Sequence, residues 1–228
     1  MNRAFLLLAL ASVVLVLGHV IPSTPSIRSR LVAALGERLF AAVYSLFALA
    51  VLIRTVWAFR QAPLRPLWNP GSMHYVPLAI MPFAMILLVS AFLSRNPTSY
   101  GSGDLLQQGP VAAGMIRVTR HPFLWAVMLW AAVHILANGD LASLLFFGGY
   151  FALGAIGSVA LDHKYAVRYG EAWDQFARQT SNIPLMAILV GRNRLLWREI
   201  GWRIPIAGIA LYLIVLAGHP WLFGATPW

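Results

Sequence analysis

The chain has 228 residues, 60% of them hydrophobic and only 11% charged, which excludes an ordinary soluble domain or a disordered chain and is the composition of an integral membrane protein. Its net charge of +10 would suggest nucleic acid on a soluble protein; in so apolar a chain it points instead to orientation by cytoplasmic Lys and Arg, and no nucleic acid is expected as a partner. With no cysteine, disulfides, thiolate ligands and a thiol nucleophile are excluded.

A spanning helix needs about 20 apolar residues. Residues 4–21 qualify, and a cleaved signal peptide is disfavoured because Pro22 and Pro25 follow where a small-residue cleavage site would be needed. The linker PSTPSIRSR leads to a second span near 37–59, interrupted by Arg54. A proline-rich loop precedes a third span at 74–93, which carries Pro77 and Pro82. Residues 94–116 are polar and Gly-rich, a long loop of the kind that carries function. The fourth span covers 120–137. Asn138-Gly139 predicts its stop, and Asp140 the N-cap of a fifth span at 141–161. Residues 162–182 predict an amphipathic helix at the membrane surface, with Trp173 and Phe176 on its apolar face. PLMAILV is too short to cross, and the sixth span covers 203–218.

The expected fold class is therefore all-α, a polytopic membrane helix bundle of about six transmembrane helices with a cytoplasmic interfacial helix, forming one domain over residues 1–228. With six spans, thirteen of the 17 Lys and Arg residues fall in the three loops of one side. Those loops are expected to be cytoplasmic and both termini to face outward. The bilayer is the expected partner.

Polar groups at membrane depth are costly and usually have a partner or a task. Of the six histidines, His19, His121 and His163 fall toward the cytoplasmic side, and His74, His134 and His219 toward the outer side. His121 and His134 differ in depth by roughly 20 Å of helix rise, so they do not share one metal. Neutral imidazole is a common metal and haem ligand, but no His-x-x-x-His pair stands on one helix. Depth alone would pair His19 with His121, or His134 with His219 or His74. Arg54 lies near the outer end of its helix beside Trp57, placed either to snorkel or to face a carboxylate such as a haem propionate. No phosphate loop, nucleophile elbow or dinucleotide fingerprint is present.

Along almost its whole length the chain resembles the NnrU family of bacterial membrane proteins. The resemblance rests on GHV at the end of the first span, RLVAALGERLFAAVYSLFALAVL, TRHPFLWAVMLWAAVHILANGD, TSNIPLMAILVGRNRL and the closing HPWLFG. The family is linked to nitrogen-oxide reduction in denitrifiers and is similar to the 15-cis-zeta-carotene isomerases, membrane enzymes with histidine-ligated b-type haem. The resemblance implies a bacterial inner-membrane location, haem b as cofactor, His19 and His134 as its ligands, and a lipophilic small molecule as substrate. RHP followed by a long helix, RYGEAWDQF and Asn182-Ile183-Pro184 is also similar to the isoprenylcysteine and phospholipid methyltransferases. That second resemblance implies an S-adenosylmethionine site through Arg120, His121 and the region from Asp162 to Tyr169. Asp162 replaces that family's Glu, and Trp173 and Phe176 replace its tyrosines.

Overall fold

A computed structural model describes residues 2–99, 101–108 and 112–227. Among them the protein is all-α, with one isolated backbone bridge between Pro66 and Asp140. Ten helices follow in order: α1 Arg3–Val20, α2 Pro25–Leu35, α3 Glu37–Gln61, α4 Val76–Leu93, α5 Pro122–Asn138, α6 Leu141–Tyr169, α7 Glu171–Gln179, α8 Met186–Leu189, α9 Trp197–Ile200 and α10 Arg203–Phe223. Among the described residues five helical segments are long and apolar enough to cross a membrane: Arg3–Ser23, Glu37–Gln61, Gly71–Leu93, Leu141–Tyr169 and Arg203–Phe223. The expected fourth span is α5, apolar but only 17 residues long.

Two expected boundaries move. The linker after the first span is helical: Pro25 opens α2 with its fixed φ, and Gly36, at φ +77°, separates α2 from α3. The surface helix expected over 162–182 is divided. Nothing between Leu161 and Tyr169 breaks a helix, so α6 continues through it; Gly170, at φ +50°, then turns the chain into α7. Of the polar segment 94–116, residues 100 and 109–111 lie outside the described residues.

The chain forms two compact units, Met1–Val76 with Ala131–Ala160, and Pro77–Trp130 with Leu161–Trp228. In the first, α1 packs along α3. A Cβ at Gly18 would meet the Phe47 ring at 2.6 Å, so the glycine admits that ring. The Ser12 hydroxyl donates to the Leu145 carbonyl at 2.9 Å, and Gly149 seats the Ser12 side chain. The turn between α5 and α6 is built as expected: Gly139 has φ +67°, and Asp140 caps α6 by accepting from the Ser143 N–H at 3.0 Å and its hydroxyl at 2.6 Å. The proline-rich loop clamps this turn, since the Leu67 and Trp68 N–H groups donate to the Gly139 carbonyl.

In the second unit α10 lies on α4, with Gly208 against Ile86 and the Tyr212 hydroxyl donating to the Leu78 carbonyl at 3.1 Å. The apolar face of α7 is buried within the protein. Trp173 and Phe176 form a core with Leu106, Ile116 and Tyr165, and the Trp173 and Tyr165 rings stack at 5.5 Å.

Candidate functional site

The TRHP entry of α5 builds the most connected polar site in the second unit. A proline at the first helical position needs no donor partner, and the residues before it turn their side chains to other segments. The Arg120 N–H donates to the Ser181 carbonyl and the Thr119 hydroxyl to the Asn182 carbonyl. The Thr98 hydroxyl reaches the Arg120 carbonyl. Trp125, one turn into α5, donates its indole N–H to the Asn182 side chain at 3.2 Å. Three chain segments are thereby locked around residues 119–121.

The centre is Asp162 on α6. Arg120 grips its carboxylate with Nε at 3.0 and 3.2 Å and Nη2 at 2.8 Å, and His121 Nε2 lies 2.6 Å from Oδ1. Arg120 also donates toward Thr180 and lies 5.5 Å over the Trp173 ring. His121 is 2% exposed. A carboxylate only accepts, so His121 Nε2 carries the proton and Nδ1 is left as an acceptor on the neutral ring. Arg120 already neutralises Asp162, so a second cation there would have no counter-charge.

Beside His121 lies a cavity of about 680 Å³. Phe92, Phe123, Leu124 and Leu161 form its apolar wall, and Ser94, Asn96, Thr98 and Ser99 line its loop side. His121 is among the residues that line this cavity.

The residues expected to hold haem lie elsewhere, in the first unit. His19 Nδ1 is 2.7 Å from the Leu15 carbonyl. A carbonyl only accepts, so Nδ1 bears the proton and the Nε2 lone pair is free to bind a metal, the orientation that outer-shell bonds impose on ligating imidazoles. His134 stacks on Phe147 at 5.0 Å. His19 stands on α1 and His134 on α5, both in this unit. Arg54 lies 4.5 Å over the Trp57 ring and lines an apolar cavity of about 490 Å³ with Leu7, Leu10 and Phe47. Among the described residues no group of three or more His, Cys, Asp or Glu gathers to hold a metal ion; an axial haem site needs no such cluster.

The structure does bring together Arg120, His121 and Asp162, the residues implied by the methyltransferase resemblance. Their bonds satisfy the carboxylate internally. The cavity wall, Ser94 and Phe123 above all, was not singled out from sequence. It comes from two helix ends and a loop, and no periodicity or spacing links them.

The NnrU family, described as NnrU protein, matches residues 7–227. The chain is 27% identical over 202 residues to the 15-cis-zeta-carotene isomerase, chloroplastic, of Arabidopsis thaliana, covering 84% of this chain and 54% of that protein. It is 23% identical over 207 residues to the Zea mays protein of the same description, covering 85% and 55%. The chain thus spans about half the length of these relatives. No solved structure matches it significantly.

Proposed function

This chain belongs to the NnrU family, and from that premise we propose that it is a multi-pass inner-membrane enzyme of isomerase type, acting on a lipophilic substrate and holding haem b. The observation that carries the haem is the His19 ring, fixed by its Nδ1–H bond to Leu15 with Nε2 left free for iron. The isomerase class is supported by the two carotene-isomerase relatives, the lipophilic substrate by the apolar cavities. His19 would hold the haem iron, and His134 is the second histidine to test. Arg54, which lines an apolar cavity, would supply the positive charge for a propionate. Bound haem would supply one-electron chemistry. The Tyr44 hydroxyl, donating to the His19 carbonyl at 3.0 Å, ties the end of α1 to α3 and keeps the ring in place.

The test is an absorption spectrum of protein purified in mild detergent from haem-replete cells, oxidised and then dithionite-reduced. A sharp Soret band with resolved reduced bands is expected, lost or shifted in His19→Ala. A colourless protein that stays colourless with added haemin overturns the reading. Loss of the bands in His134→Ala as well would make that histidine the second ligand.

A further inference from the structure

The corner between α9 and α10 presents an exposed surface of one charge. Gly191 and Gly201, at φ +74° and +64°, turn the chain on either side of α9. Leu195 and Ile204 pack inward with the buried Ile200, against Leu87 and Met115. Trp197 and Trp202 stay 70% and 81% exposed, and Arg194, Arg198 and Arg203 are exposed as well. Each tryptophan is followed directly by an arginine, so the sequence carries two Trp-Arg pairs within one short stretch. Among the described residues none of the three guanidinium groups makes a hydrogen bond or an ion pair. The one carboxylate of the stretch, Glu199, is already taken. Arg117 grips it with Nε at 2.7 Å and Nη2 at 2.8 Å, and the Gly114 N–H donates to it at 2.8 Å. Arg117 also reaches the Asn193 side chain. This clasp ties the corner to the segment before α5 and leaves three positive charges uncompensated on a fixed frame.

Charge and position together select what meets this surface. Clustered arginines without a counter-charge attract an anion, and a guanidinium fork matches phosphate oxygens. Trp202 is the N-cap of α10, a helix long and apolar enough to cross a membrane, so the patch stands where that helix meets the headgroups of a bilayer. Exposed tryptophans belong at the same level, with the ring toward the acyl chains and the N–H toward water. An acidic protein surface would match the arginines but would give two such rings at the end of a spanning helix no role. We infer that the α9–α10 corner is a binding site for the head of an anionic phospholipid, with Arg194, Arg198 and Arg203 on its phosphate and the two tryptophans beside its glycerol and upper chains. The site shares no residue with the haem reading and stands whether or not the protein binds haem.

The test is native mass spectrometry of the full chain in mild detergent, titrated with dioleoylphosphatidylglycerol and, separately, with dioleoylphosphatidylcholine. Expected is a preference for phosphatidylglycerol that weakens with added salt and falls roughly fivefold for each arginine removed. In the triple variant Arg194→Gln, Arg198→Gln, Arg203→Gln the two lipids are expected to bind alike. The three single variants are read separately, so a triple variant that fails to fold leaves the stepwise loss to decide. A charge-matched triple variant on the other loops, Arg3→Gln, Arg60→Gln, Arg65→Gln, is expected to keep the preference. Equal binding of the two lipids by the unaltered chain would overturn the proposal, as would a preference unchanged in the first triple variant or lost equally in the charge-matched one. Displacement of phosphatidylglycerol by a polyglutamate peptide would overturn it too, by making the patch a protein-docking surface. A colourless preparation that shows the preference would sustain this site while the haem reading fails.

Discussion

Asp162 is the residue on which the second unit's polar centre depends. It balances two buried donors, Arg120 and His121, whose side chains are 13% and 1% exposed. Removing one member of such a set leaves the others charged or unpaired in an apolar setting. Asp162→Asn is therefore expected to cost about 3 kcal/mol and to lower the melting temperature in detergent by roughly 5–10 °C; an unchanged melt would show that the pair is incidental.

At the scale of elements, small residues decide which helices approach. Gly208 of α10 has no room for a side chain, since a Cβ there would lie 2.6 Å from the Ile86 Cα of α4. The obstacle is backbone, so the two helices would have to part. Gly208→Ala is expected to destabilise by about 1–3 kcal/mol, read by thermal unfolding in detergent. An Ala substitution at Gly148, where nothing stands within 4 Å of the added carbon, serves as its control and should be close to neutral. The elements themselves were largely legible. Runs of apolar residues, the Asn138-Gly139-Asp140 turn and the prolines located α1, α3, α4, α5 and α10. The extent of α6 was not, because a change from apolar to charged composition at Asp162 resembles a boundary. The backbone has no breaker until Gly170, and the charged turns of α6 find their partners in Arg120 and Asp104. The same holds for α7: its amphipathic face was visible, but whether that face meets lipid or protein depends on Ile116 and Leu106 arriving beneath it.

For the whole molecule the strongest expectation concerns orientation. The basic loops are expected on the cytoplasmic side and both termini outside. The chain has no cysteine of its own, so single cysteines at Ser29 and Arg194 should react with a membrane-impermeant maleimide only in permeabilised cells, and one at Ser72 in intact cells. The reverse pattern would invert the topology. Which histidine rings approach one another is not legible in the sequence, because residue depth counted along separate spans has an unknown offset until a contact such as Ser12 with Leu145 fixes the register between helices.

By itself the sequence determined that this is an all-α membrane protein of the NnrU family, where the long apolar helices α1, α3, α4, α5 and α10 lie, and which residue types carry its polar chemistry. Those properties follow from local composition and periodicity. Only the tertiary structure decided that Asp162 closes on Arg120 and His121, 42 and 41 positions away, that α7 buries its apolar face within the protein, and that a cavity opens beside His121. Each of these depends on which surfaces meet, and that is settled by packing between segments distant in the chain rather than by any pattern within one of them.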